Sequence, residues 1–362
     1  MTSPRAGNGS RAGHLWEPVS SKTRFQGVPA SPVLLRRGSV HADTGRGGKR
    51  AAMDDRDRVS VIVLTYNRAA MFRDCLDSLV RQTYPRDRFE IIVVDSSTTG
   101  AIRDLVSGYH LPEGPEIRYF YQEKQGIPAA RNLGIQQASS GIVCFTDDDC
   151  IADPDWILNL TRAYTGPEIG GIAGKIVGYE SRGIVERYGD LLFARDDPGE
   201  DGLLAPGEGP CCCNSSYRKE VLALVHSFDP RVLMNEDLEI ALRIRDEGYR
   251  FRFTGDAVVR HRQRLTLGEL LDRAYRLTMY GMKLISDKYP EEYPFARLLL
   301  GYLARIPYEI VRYPYVIVTA PFREDRLFHL ATPLLDILVT SCRAAGCVSA
   351  VFHGVKYRAK AG

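Results

Sequence analysis

Two apolar runs of strand length, Val59–Thr65 and Phe89–Val94, are dominated by Val and Ile. Such runs suit strands buried on both faces. Between them Phe72, Cys75, Leu76, Leu79 and Val80 recur at helical spacing, and Pro85 closes the unit. Strand, helix and strand at this spacing make a right-handed βαβ unit, so the chain is committed to a mostly parallel central sheet flanked by helices. The alternation continues with a short helix over 101–107, a strand at Ile117–Tyr121 and a helix over 129–138. Pro128 falls in the first turn of that helix, where proline is tolerated. Ile142–Thr146 is the fourth strand.

That fourth strand ends in Asp147-Asp148-Asp149. Three like charges at one strand end are tolerated only in water or beside a cation. Ligands of open α/β sheets bind outside the carboxyl ends of the strands. Alternate residues of an extended segment point the same way, so Asp147 and Asp149 can share one divalent ion while Asp148 points elsewhere and matters less. The competing reading is a solvated acidic turn. The first strand–helix turn, Thr65-Tyr66-Asn67-Arg68-Ala69, contains no glycine, which excludes both GxGxxG and the Walker P-loop there. A metal is the natural substitute for neutralising phosphate charge.

Composition narrows the classes further. A net charge of +3 over 362 residues excludes nucleic acid as the main partner. The eight cysteines form no CxxC pair, so the protein reads as cytosolic and reduced. Adjacent Cys211, Cys212 and Cys213 point in different directions, which makes zinc a poor fit. Residues 1–57 read as a disordered basic tail: up to residue 52 there are nine Lys/Arg against Glu17 and Asp43. Met53, just before the first strand, is an alternative start of translation.

The second half is less regular. Ile172–Tyr179 reads as a strand, and 195–210, rich in Asp, Gly and Pro, as a mobile loop. Asn235-Glu236-Asp237 opens a helix to about Glu247, with Gly248 as its C-cap. Phe251–Phe253 and Ala257–Val259 read as short strands leading to Arg260-His261-Arg262. Thr266-Leu267-Gly268-Glu269 is a capping box for a helix over 267–286. Beyond Phe295 the chain turns aromatic and apolar, and Leu327–Phe352 is interrupted by His329, Asp336 and Arg343. Lys356, Arg358 and Lys360 follow. Apolar helices flanked by cations suit an anionic membrane surface; packing on the rest of the chain or a homodimer interface suits them equally. Asp336 and Arg343 argue against a spanning helix.

Six features now stand in order: Val61–Arg68, Val93–Ser97, Gly126 to Arg131-Asn132, Asp147–Asp149, Glu236-Asp237 and His261. The ordered set resembles family 2 glycosyltransferases of the GT-A fold, an α/β fold with a Rossmann-like central sheet. The resemblance covers about 58–285, leaving 286–362 as a helical, apolar C-terminal region with a membrane surface as one candidate partner. It implies that Thr65, Tyr66, Asn67 and Arg68 line a nucleotide pocket and that Asp95 accepts hydrogen bonds from base or ribose. Arg131 would reach the base or diphosphate, helped by Asp148 and by arginines 260, 262 and 264. Asp147, Asp149 and His261 would hold Mn²⁺ or Mg²⁺. Asp237, supported by Glu236, would be the base of a single inverting displacement. Asn214 would line the donor sugar or acceptor, although cysteines stand where the family usually has small residues.

The implied reaction moves a hexose from a UDP-, GDP- or dTDP-sugar to a hydroxyl of a glycan, a lipid-linked carrier or a small molecule. Cell-envelope polysaccharide synthesis fits, on the cytoplasmic face of a membrane. Two alternatives remain at this point. One is a sugar-nucleotidyltransferase, disfavoured by the glycine-free first turn. The other is a catalytically silent nucleotide-sugar or glycan-binding module, disfavoured by the Asp237 base.

Overall fold

The computed structural model describes residues 58–109, 112–205, 207–319 and 325–353. The expected basic tail over 1–57 and the cations Lys356, Arg358 and Lys360 lie outside the described residues.

Strands β1 (Val59–Thr65), β2 (Phe89–Asp95), β3 (Glu116–Tyr121) and β4 (Ile142–Asp147) alternate with helices α1 (Ala69–Val80), α2 (Ala101–Ser107) and α3 (Ile127–Gln137). All four strands pair in parallel, in the order β3-β2-β1-β4. Strand alternation explains why β1 is apolar throughout. Val59, Val61 and Val63 enter one core with Phe72, Leu76 and Leu79 of α1. Ile62 enters the other with Ala130 of α3, Val143 and Phe145. α3 lies close on the sheet because Gly134 has no side chain; a Cβ there would come within 2.5 Å of Ile62.

Register then decides what the sheet presents at one edge. Thr65 is paired with Asp95 and Leu64 with Asp147. The carboxyl ends of β1, β2 and β4 therefore finish level, and the first turn, Asp95 and the acidic triplet share a single rim.

The remaining elements are β5 (Cys150–Ala152), α4 (Trp156–Arg162), β6 (Ile169–Gly178), α5 (Ile184–Asp196), β7 (Gly202–Leu203), β8 (Asn214–Arg218), α6 (Lys219–Leu224), α7 (Glu236–Asp246) and β9 (Arg250–His261). The nine-stranded sheet continues β4-β8-β6-β9-β5, with β7 on β9. β8, β5 and β7 run against the other strands, so the sheet is mixed. The two short strands expected at 251–253 and 257–259 are one strand, β9, which slips register opposite Gly174 and Lys175. The expected loop from 195 begins inside α5, whose Tyr188 packs with Leu270 and Leu335.

α8 (Leu267–Arg276) starts at the expected capping box: Glu269 N–H donates to Thr266 Oγ1 (3.3 Å) and its carboxylate accepts from Thr266 N–H (2.8 Å). A π-helical turn, Leu277–Met282, joins it to α9 (Lys283–Lys288). Two long helices end the fold, α10 (Phe295–Thr319) and α11 (Arg326–His353).

Candidate active site

The first turn is held by polar groups in place of glycine. Asn67 takes a left-handed conformation (φ 56°), which Asn tolerates better than most residues. Its N–H donates to Ser97 Oγ (2.8 Å) and its Oδ1 accepts from Thr98 N–H (3.0 Å), tying the ends of β1 and β2 together. Tyr66 is open to solvent, and the Lys124 ammonium sits 3.8 Å from its ring centre. Asp95 is fully buried, accepting from Ser97 N–H and the Tyr119 hydroxyl, both at 2.8 Å. It underlies the rim rather than lining it.

The triplet leaves the strand at Asp147, and Asp148 and Asp149 form a turn in which both approach Arg68 Nη1, at 3.3 and 2.8 Å, so the expected strand alternation does not sort them. Asp148 points back to the first turn, where it accepts from Thr65 Oγ1 (2.9 Å), Tyr66 N–H (3.4 Å) and Arg68 Nη1 (3.3 Å). Burial, then the neighbouring Asp149 charge, pushes its carboxyl up to about 6 against the opposing Arg68. The expectation that Asp148 matters less needs correction. It is the strut that fixes the glycine-free turn, and its oxygens are committed to that turn rather than to a ligand.

Asp147 faces the cleft, with 37% of its side chain open and Arg131 Nη2 4.0 Å away. Burial of its surroundings raises its pKa, Arg131 opposes this, and Asp149 adds to it. Asp149 meets His261 through sheet register: β5 pairs antiparallel with β9, placing Cys150 opposite His261. Asp149 Oδ1 is 3.4 Å from His261 Nε2, and Asp149 Oδ2 pairs with Arg68 Nη1 at 2.8 Å. Cys150, not foreseen as part of the site, brings its sulfur within 4.8 Å of the Asp149 and His261 ligand atoms. Burial raises its thiol above the ordinary range.

This donor set fits a hard divalent cation. His261 Nδ1 is buried with no hydrogen-bond partner, and carboxylate oxygens with one imidazole suit Mn²⁺, or Mg²⁺ with added water. Asp149 and His261 already converge, while Asp147 stands on the Arg131 side of them.

The resemblance implies that Arg131 reaches the base or diphosphate. It is buried, its guanidinium 5.4 Å from the Phe228 ring centre. Nη1 pairs with Glu236 Oε1 at 2.5 Å and Nη2 lies 4.0 Å from Asp147. One guanidinium thus spans the acidic triplet and the start of α7. Burial raises Glu236 while Arg131 opposes. Glu236 is committed to that ion pair, so it is a positioning group and not a second free base. Asp237 keeps one oxygen unspoken for: Oδ1 accepts from Leu238 N–H at 2.9 Å, and the residue is only partly buried. The left-handed Asn235 (φ 59°) turns the chain into α7 and sets this pair on the cleft.

Asn214 needs a second correction. It is fully buried, its Oδ1 accepts from Trp156 Nε1 (2.7 Å), and its Nδ2 donates to the carbonyls of Lys175 and Ala257, both at 2.8 Å. Its amide holds α4, β6 and β9 together and has nothing left for a sugar. Gly174 makes the room, since a Cβ there would lie 2.3 Å from Asn214 Oδ1. Arg260, Arg262 and Arg264 are likewise engaged, with Asp153 (2.9 Å), Asp74 (2.9 Å) and Glu180 (3.6 Å).

A mixed sheet of this order, flanked by helices, is an α/β sheet of the GT-A type. Residues 60–224, a little under half of the chain, match the model of glycosyl transferase family 2. The chain is 28% identical to the glycosyltransferase AglE of Haloferax volcanii over 221 residues, covering 60% of this chain and 71% of that protein. It is 32% identical over 155 residues to the validoxylamine A glucosyltransferase of Streptomyces hygroscopicus subsp. jinggangensis, covering 42% of this chain but only 36% of that enzyme. Among solved structures, a mannosyltransferase of Pyrobaculum calidifontis in complex with GDP-Man and Mn²⁺ shares the fold. The TM-score is 0.57 at 24% identity, over 84% of this chain and 90% of that one.

Proposed function

We propose that this glycosyltransferase moves a hexose from a nucleoside-diphosphate sugar to an acceptor hydroxyl with inversion at the anomeric carbon. The observation that carries the reading is Arg131. One buried guanidinium pairs with Glu236 of α7 at 2.5 Å and stands 4.0 Å from Asp147, so donor-side and acceptor-side carboxylates lie on either side of one side chain.

Thr65, Tyr66 and Asn67 form the nucleoside side of that cleft, with Asp95 supporting it from beneath. Tyr66 offers an open aromatic face for the base, UDP, GDP and dTDP donors being alike in this respect. Asp147, Asp149 and His261 are the residues to hold Mn²⁺ or Mg²⁺. When bound, such an ion supplies the positive charge that a departing diphosphate needs. Arg68, paired to Asp149 yet half exposed, adds a second cation at the same rim. Asp237 takes the acceptor proton through its free oxygen as the hydroxyl attacks. Glu236 and Arg131 hold the start of α7, and hence Asp237, at a fixed height above the triplet.

Asp237→Asn preserves shape and removes the base. Isothermal titration with nucleotide sugars and Mn²⁺ is expected to show donor affinity unchanged. Turnover is expected to fall by about 10³-fold, within the range for a general base. Full turnover in that variant would sink the assignment.

A further inference from the structure

α10 is built inside out for water. Leu300, Leu303, Tyr308, Val311, Tyr315 and Val318 are all exposed, up to 78% at Val311. Their spacing places them along one helical face. The acid of the same helix points inward. Glu309 is buried, paired with Arg312 (2.6 Å) and Arg305 (3.5 Å), and Arg312 reaches Asp336 of α11 (3.5 Å). A helix facing water shows the reverse pattern, apolar stripe inside and charges outside. α11 adds Leu327, Leu334, Leu338, Val348 and Phe352 to the exposed apolar surface. Contiguous apolar patches beyond a few hundred Å² on a soluble protein mark an interaction surface.

Charge selects the occupant. Within the described parts of α10 and α11, Arg297 and Arg326 are exposed and Arg305 keeps 41% of its side chain open, while the nearest exposed carboxylate, Asp325 just before α11, is paired with Arg187 at 2.8 Å. The three open side chains on the helices are cations, and neither helix exposes a carboxylate. A second copy packed on this face by twofold symmetry would set this surface against itself, with no acid to pair its cations. Anionic lipid headgroups pair with them directly, while acyl chains take up the apolar stripe.

The anchoring to the sheet domain sets the depth. Residues 326–352 are long and apolar enough to cross a membrane, but 44% of the most apolar window is buried inside the protein. Asp336, in the middle of α11, accepts from the Tyr188 hydroxyl (2.7 Å) and from Arg195 (2.6 and 2.9 Å) of α5. Leu335 and Val339 pack on Leu270 and Ala274 of α8. Crossing a bilayer would tear this side of α11 from the sheet domain. We infer that the α10–α11 hairpin lies in the surface of an anionic lipid bilayer, its outer stripe among the acyl chains and its inner side on the catalytic domain. This docking does not depend on the transfer chemistry.

The test is co-sedimentation of the full chain with phosphatidylcholine vesicles, with and without phosphatidylglycerol, beside light scattering in lipid-free buffer. Binding to the mixed vesicles is expected to exceed binding to neutral ones by about tenfold or more, since each surface cation adds to attraction by anionic lipid. The double variant Leu300→Asp/Val311→Asp is expected to lose that binding while keeping the wild-type melting temperature and Mn²⁺-dependent donor affinity. A chain that does not bind mixed vesicles, whether dimeric or monomeric in solution, overturns the inference. So does vesicle binding that both substitutions leave intact. If the double variant fails to fold, the same vesicle assay on Tyr315→Asp alone decides.

Discussion

Asp147 in the cleft and Asp336 under the hairpin are the same residue type in surroundings that leave little water, yet their ionisation moves in opposite directions. Burial pushes Asp336 up, but the paired hydrogen bonds from Arg195 and the one from Tyr188 outweigh it and hold the carboxyl below its ordinary range. Asp147 has no hydrogen-bonded cation: Arg131 stands off at 4.0 Å, occupied by Glu236, and the carboxyl is raised. A finished network is scaffold. An unfinished one, at the mouth of a cleft, is a place where positive charge is still wanted. The same reading separates Asp149, whose Oδ1 faces His261 Nε2 at 3.4 Å, from Asp148, whose oxygens are filled by the first turn.

The largest effect should come from attacking the unfinished network. Asp149→Asn removes the carboxylate that faces both His261 and Arg68. Outer-shell substitutions at metal sites cost about 10–100-fold in affinity, so loss of a direct ligand should cost at least about 100-fold. Titrating Mn²⁺ by electron paramagnetic resonance reads this without any turnover. Unchanged Mn²⁺ affinity would break the contrast, because the cleft would then be no more in need of a cation than the hairpin.

Next comes the finished network. Asp336→Asn leaves Arg195 and Arg312 facing a neutral amide. Breaking a buried pair costs about 3–5 kcal/mol, and the lower end applies here because a third of the Arg195 side chain (33%) stays in water. The sign with pH follows from the lowered carboxyl. Its contribution is present above the unfolded value of about 3.9 and disappears as pH falls through the folded value. Urea unfolding should show wild type losing its advantage over Asp336→Asn below about pH 4. An advantage that persists undiminished in acid would mean that the bidentate pair is not what holds α11 to α5.

How much of this could be read from the chain alone follows the same division. β1, β2 and β4 announce themselves because each is a mostly apolar, buried run followed by a periodic helix or a strong turn, and β3, half-buried with Arg118 in it, shows by its aromatic residues. The level ends of β1, β2 and β4 follow from parallel pairing. The alternation expected for the triplet fails because the strand stops at Asp147 and the turn brings Asp148 and Asp149 to the same Arg68 nitrogen. β8 was unreadable because Asn214, Ser215 and Ser216 are polar residues that are fully buried. No hydrophobic pattern marks a central strand built from hydrogen-bonding groups, and the ligand-lining role for Asn214 came from the family resemblance alone. Cys150 enters the site only through the β5–β9 register, which local sequence does not specify. Arg131 looked like any helical arginine, since the carboxylates that enclose it come from α7 and β4. α5 carried a usable signal in Val185, Tyr188, Leu191 and Leu192, a helical stripe obscured by the Asp- and Gly-rich segment that follows.

The finest probe of the comparison is Asp148, a carboxyl with partners that is nevertheless raised to about 6. It lies between the two extremes: its hydrogen bonds resemble those of Asp336, but the adjacent Asp149 charge opposes ionisation as in the cleft. The sign is opposite to that of Asp336. A raised folded carboxyl favours the folded state fully below the unfolded value of about 3.9, and that advantage is lost as pH rises through about 6. The shift corresponds to about 3 kcal/mol at most, and Arg68, with 53% of its side chain in water, screens the site toward about 1–2 kcal/mol. In chelator-treated protein, Asp148→Asn should therefore flatten the fall in stability between about pH 4 and 6 while wild type keeps it. A variant that instead steepened the fall would show Asp148 to be a lowered, fully paired carboxylate. The first turn would then belong with the hairpin as finished scaffold, and the need for a cation would rest on Asp147 and Asp149 alone.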